Sequence, residues 1–260
     1  MKILFFGDIV GKPGRYAIKK ILPKWQKKYQ PDLIIANAEN IAHGKGITEK
    51  CLKEILDAGI DFVTSGDHIL DQKSVSDLLT NKEIPLIRPS NMLSNTPGNG
   101  YKIIQIRTKK VLIINLIGQS FMKKKHNNPF TKIDQILENE EADIIIIDFH
   151  AETTAEKVCM GWHLDGRVTA ILGTHTHIPT ADARILPKDT AYISDIGMVG
   201  VKDSSLGADK EIAVRRFLTE RHISLKIPKQ GPVEVNAVLI ETNKYNMAKK
   251  IKKLQEIVAF

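Results

Sequence analysis

The chain has 260 residues, 42% hydrophobic and 26% charged, a composition that fits a globular protein and excludes a disordered or fibrous one. Its formal net charge of +8 comes from lysines spread over many segments, so it is permissive for a phosphate substrate and selects none. The two cysteines, Cys51 and Cys159, form no metal-type spacing and read as idle or buried thiols of a reducing compartment. No apolar run reaches the ~18 residues that cross a bilayer, and Asp8 cuts short the apolar start, so no membrane partner and a cytoplasmic location are expected.

Short β-branched runs alternate with amphipathic stretches along the whole chain. Ile3 to Gly7 has the pattern of a buried strand, and a helix from about Pro13 to Tyr29 follows it. Leu33 to Ala38 is the next strand, a helix opens near Thr48 and stops at Gly59, and Phe62 to Ser65 is the third strand. Asp71 to Leu79 reads as helix. Leu86-Ile87, Tyr101 to Arg107 and Val111 to Leu116 read as strands, with Lys109-Lys110 as a hairpin turn. Ile133 to Glu140 and Glu152 to Met160 are expected helices; Asp143 to Asp148, Val168 to Leu172 and Ala191 to Ser194 are expected strands. The tail gives a strand over Val233 to Glu241 and a basic amphipathic helix over Ala248 to Val258. Apolar strands flanked by helices predict an α/β protein with sheets covered on both faces, two packed sheets in one domain over residues 1–260.

The polar residues that follow those strands carry the chemistry. Gly7-Asp8 follows the first, Glu39-Asn40 the second, Gly66-Asp67-His68 the third. Asp148-Phe149-His150 ends the isoleucine strand, and Gly173-Thr174-His175-Thr176-His177 the next. Ligands of α/β sheets collect at the carboxyl ends of strands. An oxygen-rich set with histidines suits two first-row metals such as iron, manganese or zinc. Two neighbouring cations need a shared carboxylate to screen them, and Glu39, central in chain order, is the expected bridge. His68, beside the set, is placed to protonate a leaving alkoxide. His175 and His177, at alternate positions, are expected to point to one side.

Gly7-Asp8, Gly66-Asp67-His68 and Gly173-Thr174-His175-Thr176-His177 resemble the blocks of the calcineurin-like metallophosphoesterases. The longer stretches GDIVGKPGR, NAENIAHGKGIT, Arg88-Pro89-Ser90-Asn91, NLIGQSFM, IIDFHAETTAEK, GWHLDGRVTAILGTHTHIPTADARILP and Ser194 to Met198 are similar to the YmdB-type bacterial metallophosphoesterases over nearly the whole chain. The resemblance implies a four-layer α/β/β/α sandwich with a di-iron or di-manganese centre. It implies a homo-oligomer, dimer or tetramer, and hydrolysis of 2′,3′-cyclic nucleotides by metal-activated hydroxide. 3′,5′-cyclic nucleotides and RNA ends are further candidate substrates. Position by position, one metal takes Asp8, Glu39, Asn40 and His177; the other takes Glu39, Asp67, His150 and His175; His68 is the acid.

The third block is usually Gly-Asn-His, whereas this chain has Asp67. A charged ligand there is expected to bind metal more tightly and to slow turnover at neutral pH. A phosphomonoesterase or nuclease using the same metals, or a weakly catalytic nucleotide sensor, are the competing readings. Gly11 to Arg15 lacks phosphate-loop spacing and reads as a turn. His43 reads as a substrate contact or a loop residue, and Arg88, Asn91, Thr153 and Arg167 mostly as structural hydrogen-bonders. Phe121-Met122 and Trp162 read as core or interface, with an aromatic wall for a base as the alternative, and Lys123 to Lys125 as a solvated charge run.

Overall fold

A computed structural model describes residues 1–260. Its elements in chain order begin with β1 (Lys2–Phe6), β2 (Asp8–Ile9), α1 (Gly11–Tyr29), β3 (Leu33–Asn37), α2 (Glu49–Asp57), β4 (Phe62–Thr64) and α3 (Val75–Thr80). The middle holds β5 (Tyr101–Ile106), β6 (Lys109–Ile117), α4 (Pro129–Asn139), β7 (Ile144–His150), α5 (Thr154–Leu164) and β8 (Ala170–Thr174). The chain closes with β9 (Arg184–Ile185), β10 (Ala191–Ile193), β11 (Met198–Val201), α6 (Lys210–Thr219), β12 (Val233–Thr242) and β13 (Ala248–Val258).

Seven strands form one sheet in the order β2-β11-β12-β1-β3-β4, with β13 on the other side of β12; six form a second, β5-β6-β7-β8-β10-β9. Three apolar clusters set the layers. Ile3, Phe5, Ile35, Ile113, Ile146 and Leu172 fill the space between the two sheets. Phe6, Trp25, Ile18 and Leu52 join the outer face of the first sheet to α1 and α2. Ile114, Phe149, Ile133 and Met160 join the second sheet to α4 and α5. Strands buried on both faces explain the unbroken isoleucines of β7, and full burial of each such side chain contributes roughly 1.5–3 kcal/mol. The result is the expected α/β/β/α sandwich. No helix is long and apolar enough to cross a membrane.

A fork in the first sheet positions the first acidic residue. β1 pairs with β12 from Lys2 to Phe6; then β11 inserts, pairing with β2 on one side and β12 on the other. Gly7 occupies the branch point, where a Cβ would stand 1.7 Å from the Gly197 carbonyl oxygen. Any side chain there would close the fork that aims Asp8.

Several sequence expectations need correction. Ala248 to Val258 is a strand, β13, antiparallel to β12. Apolar residues at 248, 251, 254 and 257 imitate a helical period. A bulge at Glu241/Thr242 instead puts Ala248 and Ile251 on the inter-sheet side, with Leu254 and Val258 on the helix side. The β5–β6 turn falls at Arg107-Thr108, and Lys109-Lys110 already belong to β6. The left-handed φ of Arg107, 54°, supplies the reversal. Asp71 to Leu79 divides into a 3-10 turn, Ile69–Asp71, and α3. Leu86 makes only an isolated bridge to Val63. Phe121 is not core, being 90% exposed, and Trp162 is half exposed. β11 and α6 had no sequence expectation; glycines break the apolar run of β11, and α6 buries only Ala213.

Candidate metal centre

The carboxyl ends of β3, β4, β7 and β8, with β2, meet at one edge of the sandwich. All seven expected ligands come together there. Potential ligand atoms of Glu39, Asp67, His150 and His175 lie within 4.8 Å of one another, and so do those of Asp8, Glu39 and His177. Glu39 belongs to both groups, as a shared carboxylate must. His150 Nε2 lies 3.2 Å from Glu39 Oε2 and 3.4 Å from Asp67 Oδ1. His175 Nδ1 lies 2.9 Å from His150 Nε2. In the other group His177 Nε2 lies 3.2 Å from Asn40 Oδ1 and 4.0 Å from Asp8 Oδ1. Gly66 leaves the room: a Cβ there would stand 2.2 Å from Glu39 Oε2 and 2.4 Å from His150 Nε2.

Each imidazole has one nitrogen held from outside and the other turned inward. His150 Nδ1 sits 2.9 Å from Thr174 Oγ1, which donates to Asp148 Oδ1 at 2.7 Å. Asp148 is fully buried and also accepts from Thr64 and Asn37. His175 Nε2 lies 3.0 Å from Glu152 Oε2, and His177 Nδ1 lies 2.9 Å from the Leu206 carbonyl. Outer partners of this kind fix the tautomer and aim of metal-binding imidazoles. His68 follows the same pattern, with Nδ1 2.8 Å from Asp71 Oδ2 and its backbone N–H donating to Glu39 Oε2 at 3.2 Å.

The expectation for His175 and His177 needs correction. They lie beyond the end of β8 with φ of 101° and 66°, and they serve different groups rather than one point. Asp195 holds that left-handed path: Oδ2 accepts from Thr176 N at 3.0 Å, and Oδ1 from Gly197 N at 2.9 Å. Lys157, 2% exposed, donates 2.8 Å bonds to Asp195 Oδ2 and to the Thr174 carbonyl.

The electrostatics fit a cationic occupant. Burial pushes the Asp8 carboxyl up to about 7 against the pull of His177 and His150. Burial likewise opposes ionisation of Glu39 and Asp67, but His150 outweighs it and both fall below the carboxylate range. Burial would lower His150, yet Glu39 and the hydrogen bond to Asp67 raise it well above 6.5. Burial and the charge of His150 bring His175 down to about 4. Asp8 Oδ1 is buried with no hydrogen-bond partner. An orphaned carboxylate oxygen among inward-facing imidazole nitrogens is a cation's ligand set.

Sequence reasoning missed Thr174, Asp148, Glu152, Asp71, Lys157 and Asp195 as partners. Asp148, Thr174 and Asp195 carried a signal in their places at or after strands, but nothing local showed what they would touch. Arg88 is structural, its guanidinium donating to the carbonyls of Pro89, Thr96 and Pro97. Asn91 pairs with the backbone of Ile117 and Asn127, and Arg167 with Asp134. His43 is exposed on its loop.

A four-layer sandwich with two carboxylate–imidazole groups at its strand ends defines a protein of the calcineurin-like metallophosphoesterase fold. The model of the YmdB-like protein family matches residues 4–254, and the chain belongs to that family. It is 41% identical to a 2′,3′-cyclic-nucleotide 2′-phosphodiesterase of Bacillus subtilis, over 99% of this chain and 97% of that protein. Among solved structures, a protein of Thermus thermophilus superposes with TM-score 0.94 at 37% identity, covering 99% of both chains. A Mycoplasma pneumoniae protein described as a novel phosphatase gives 0.94 at 36%, covering 99% of this chain and 93% of that one.

Proposed function

We propose that this chain is a two-metal phosphodiesterase that hydrolyses 2′,3′-cyclic nucleotides. The carrying observation is that every imidazole in the site has its outer nitrogen held and its inner nitrogen facing carboxylates shared through Glu39. Similarity to the Bacillus subtilis phosphodiesterase over nearly the full length supports the substrate class.

Asp8, Glu39, Asn40 and His177 would hold one metal, and Glu39, Asp67, His150 and His175 the other. Two bound metals would supply an activated water and charge neutralisation for the phosphate. Glu39, at the junction, keeps the two positions in register. His68, oriented by Asp71, keeps Nε2 free to give a proton to the departing ribose oxygen. Overall, water adds to phosphorus, one phosphorus–oxygen bond to the ribose breaks, and that oxygen takes a proton. Iron or manganese suits the mixed oxygen and nitrogen donors. 3′,5′-cyclic nucleotides present the same diester to the same groups and are a second substrate in this reading. A homo-oligomer is supported by the exposed row Val214, Phe217 and Leu218 on α6, which are 57%, 83% and 79% accessible.

The test is hydrolysis of 2′,3′-cyclic AMP, bis-p-nitrophenyl phosphate and p-nitrophenyl phosphate by metal-stripped protein before and after adding Mn²⁺ or Fe²⁺. Metal-dependent turnover of the diesters, lost in Glu39→Gln, supports the reading. Turnover of the monoester alone would favour a phosphomonoesterase. Tight nucleotide binding without turnover of any substrate would favour a sensor.

A further inference from the structure

Beside the metal centre, residues 118–127 link β6 to α4 by a path that the catalytic reading leaves unused. The segment is tied down at both ends. Gly118 N donates to the carbonyl of His150 at 3.0 Å. Gln119 N and Ser120 N donate to the Glu156 carboxylate at 2.9 and 3.2 Å. Asn127 N returns to the Asn91 carbonyl at 2.8 Å. Next to that end, the His126 ring lies within the field of the Asp67 carboxylate and of the Lys124 ammonium. Its Nε2 is buried with no partner. Between the anchors stand Phe121, 90% exposed, and the exposed Lys123, Lys124 and Lys125. Phe121 has φ of 60°, a left-handed conformation that a bulky residue rarely adopts. It lies three positions after Gly118, so its Cα is no more than about 11 Å from that anchor.

We propose that segment 118–127 binds the nucleotides preceding the scissile phosphate, so that the preferred substrate is a single-stranded RNA end carrying a 2′,3′-cyclic phosphate. The inference rests on the phosphodiesterase reading above and deepens it. A mononucleotide has one phosphate, and the metal centre takes it; the ammonium groups of Lys123, Lys124 and Lys125 would then have no phosphate to meet. An RNA end brings additional phosphates at regular spacing, and its bases offer flat faces to the outward-held ring of Phe121. Aromatic stacking with adjacent cationic side chains is how proteins hold single strands without reading sequence. DNA is excluded by chemistry, because a 2′,3′-cyclic phosphate requires the ribose 2′-oxygen. Water adds to phosphorus, the bond to O2′ breaks, O2′ takes a proton, and the strand keeps a 3′-phosphate.

The experiment compares kcat/KM for 2′,3′-cyclic AMP and for a short oligoadenylate ending in 2′,3′-cyclic phosphate, using the metal-loaded full chain. The oligonucleotide is expected to be preferred at least about tenfold, through KM, since one stacked base is worth roughly 5- to 150-fold. Its KM should rise with salt on a log–log slope of about 2, as three phosphate contacts require. Phe121→Ala, and separately Lys123→Ala/Lys124→Ala/Lys125→Ala, should bring the preference towards one, and the lysine variant should flatten the slope. Lys249→Ala/Lys250→Ala on β13 should keep the preference and the slope. Equal kcat/KM for the two substrates, or variants that lower both in proportion, would overturn the inference and leave the catalytic reading standing. No hydrolysis of either substrate would overturn the catalytic reading and this inference with it.

Discussion

His150 Nδ1 lies 2.9 Å from the hydroxyl of Thr174, and that hydroxyl donates to the buried Asp148. Because Oγ1 spends its hydrogen on the carboxylate, it must accept from His150. The imidazole therefore carries its proton on Nδ1 and presents Nε2 to Glu39 and Asp67. Thr174→Val keeps the shape and removes both bonds. Metal affinity should fall about 10–100-fold, and the metal-free fold should lose about 1–3 kcal/mol because buried Asp148 and His150 Nδ1 are each left short of a partner. Mn²⁺ titration alongside calorimetry checks both halves.

Lys157 and Asp195 form a buried ion pair that holds the path of His175 and His177. Lys157→Met leaves Asp195 buried without its cation and should cost about 3–5 kcal/mol of stability. Adding Asp195→Leu should recover part of that loss, because a buried pair replaced by apolar groups is often neutral. The double variant should still bind metal poorly, since Thr176 N and Gly197 N lose their acceptor. Denaturant unfolding separates the two effects from metal content.

The pH dependence of metal binding follows from Asp8 and His150. In metal-free protein burial raises the Asp8 carboxyl to about 7, and Glu39 and the bond to Asp67 raise His150. As the proposed ligands, both must release a proton to bind metal, so affinity is expected to rise with pH. Asp8 alone passes from about 10% to about 90% ionised between pH 6 and pH 8, worth about a tenfold gain. His150 adds in the same direction. Calorimetry in buffers of different ionisation heat should show protons released on Mn²⁺ binding at pH 7, and fewer at pH 8. Stability runs the opposite way: the raised Asp8 makes the metal-free fold lose stability as pH climbs from about 4 to about 7.

Asp67→Asn removes one negative charge from the proposed ligand set. Metal binding should weaken by about tenfold, the effect of about 1.4 kcal/mol, and kcat for 2′,3′-cyclic AMP at pH 7 should rise. A pH–rate profile and metal content unchanged from those of the natural chain would show that the charge has no role.

Much of this was legible in the sequence because strand-end position is a local property. Asp8, Glu39, Asp67 and His150 each follow an apolar run whose strand character is unmistakable, and all four strands end at the same edge. What the sequence hid was contact at a distance. Thr174 and Lys157 look like ordinary loop and helix residues until β7, β8 and α5 pack together. The direction of His175 and His177 depends on two left-handed φ angles imposed by Asp195, which simple alternation cannot foresee. β13 failed for another reason: its bulge inserts one residue, and a strand with one residue inserted can carry a helix-like apolar period. Pairing with β12 outweighs that local signal.

The central claim is that two metals, joined through Glu39, make this site work. Mn²⁺ titrated into metal-stripped protein, with hydrolysis of 2′,3′-cyclic AMP followed in the same samples, tests it most directly. Two ions per chain are expected, with turnover appearing only as the second site fills, and Glu39→Gln should abolish both the pairing and the turnover. Full turnover with one ion per chain, or in metal-stripped protein, would contradict the account.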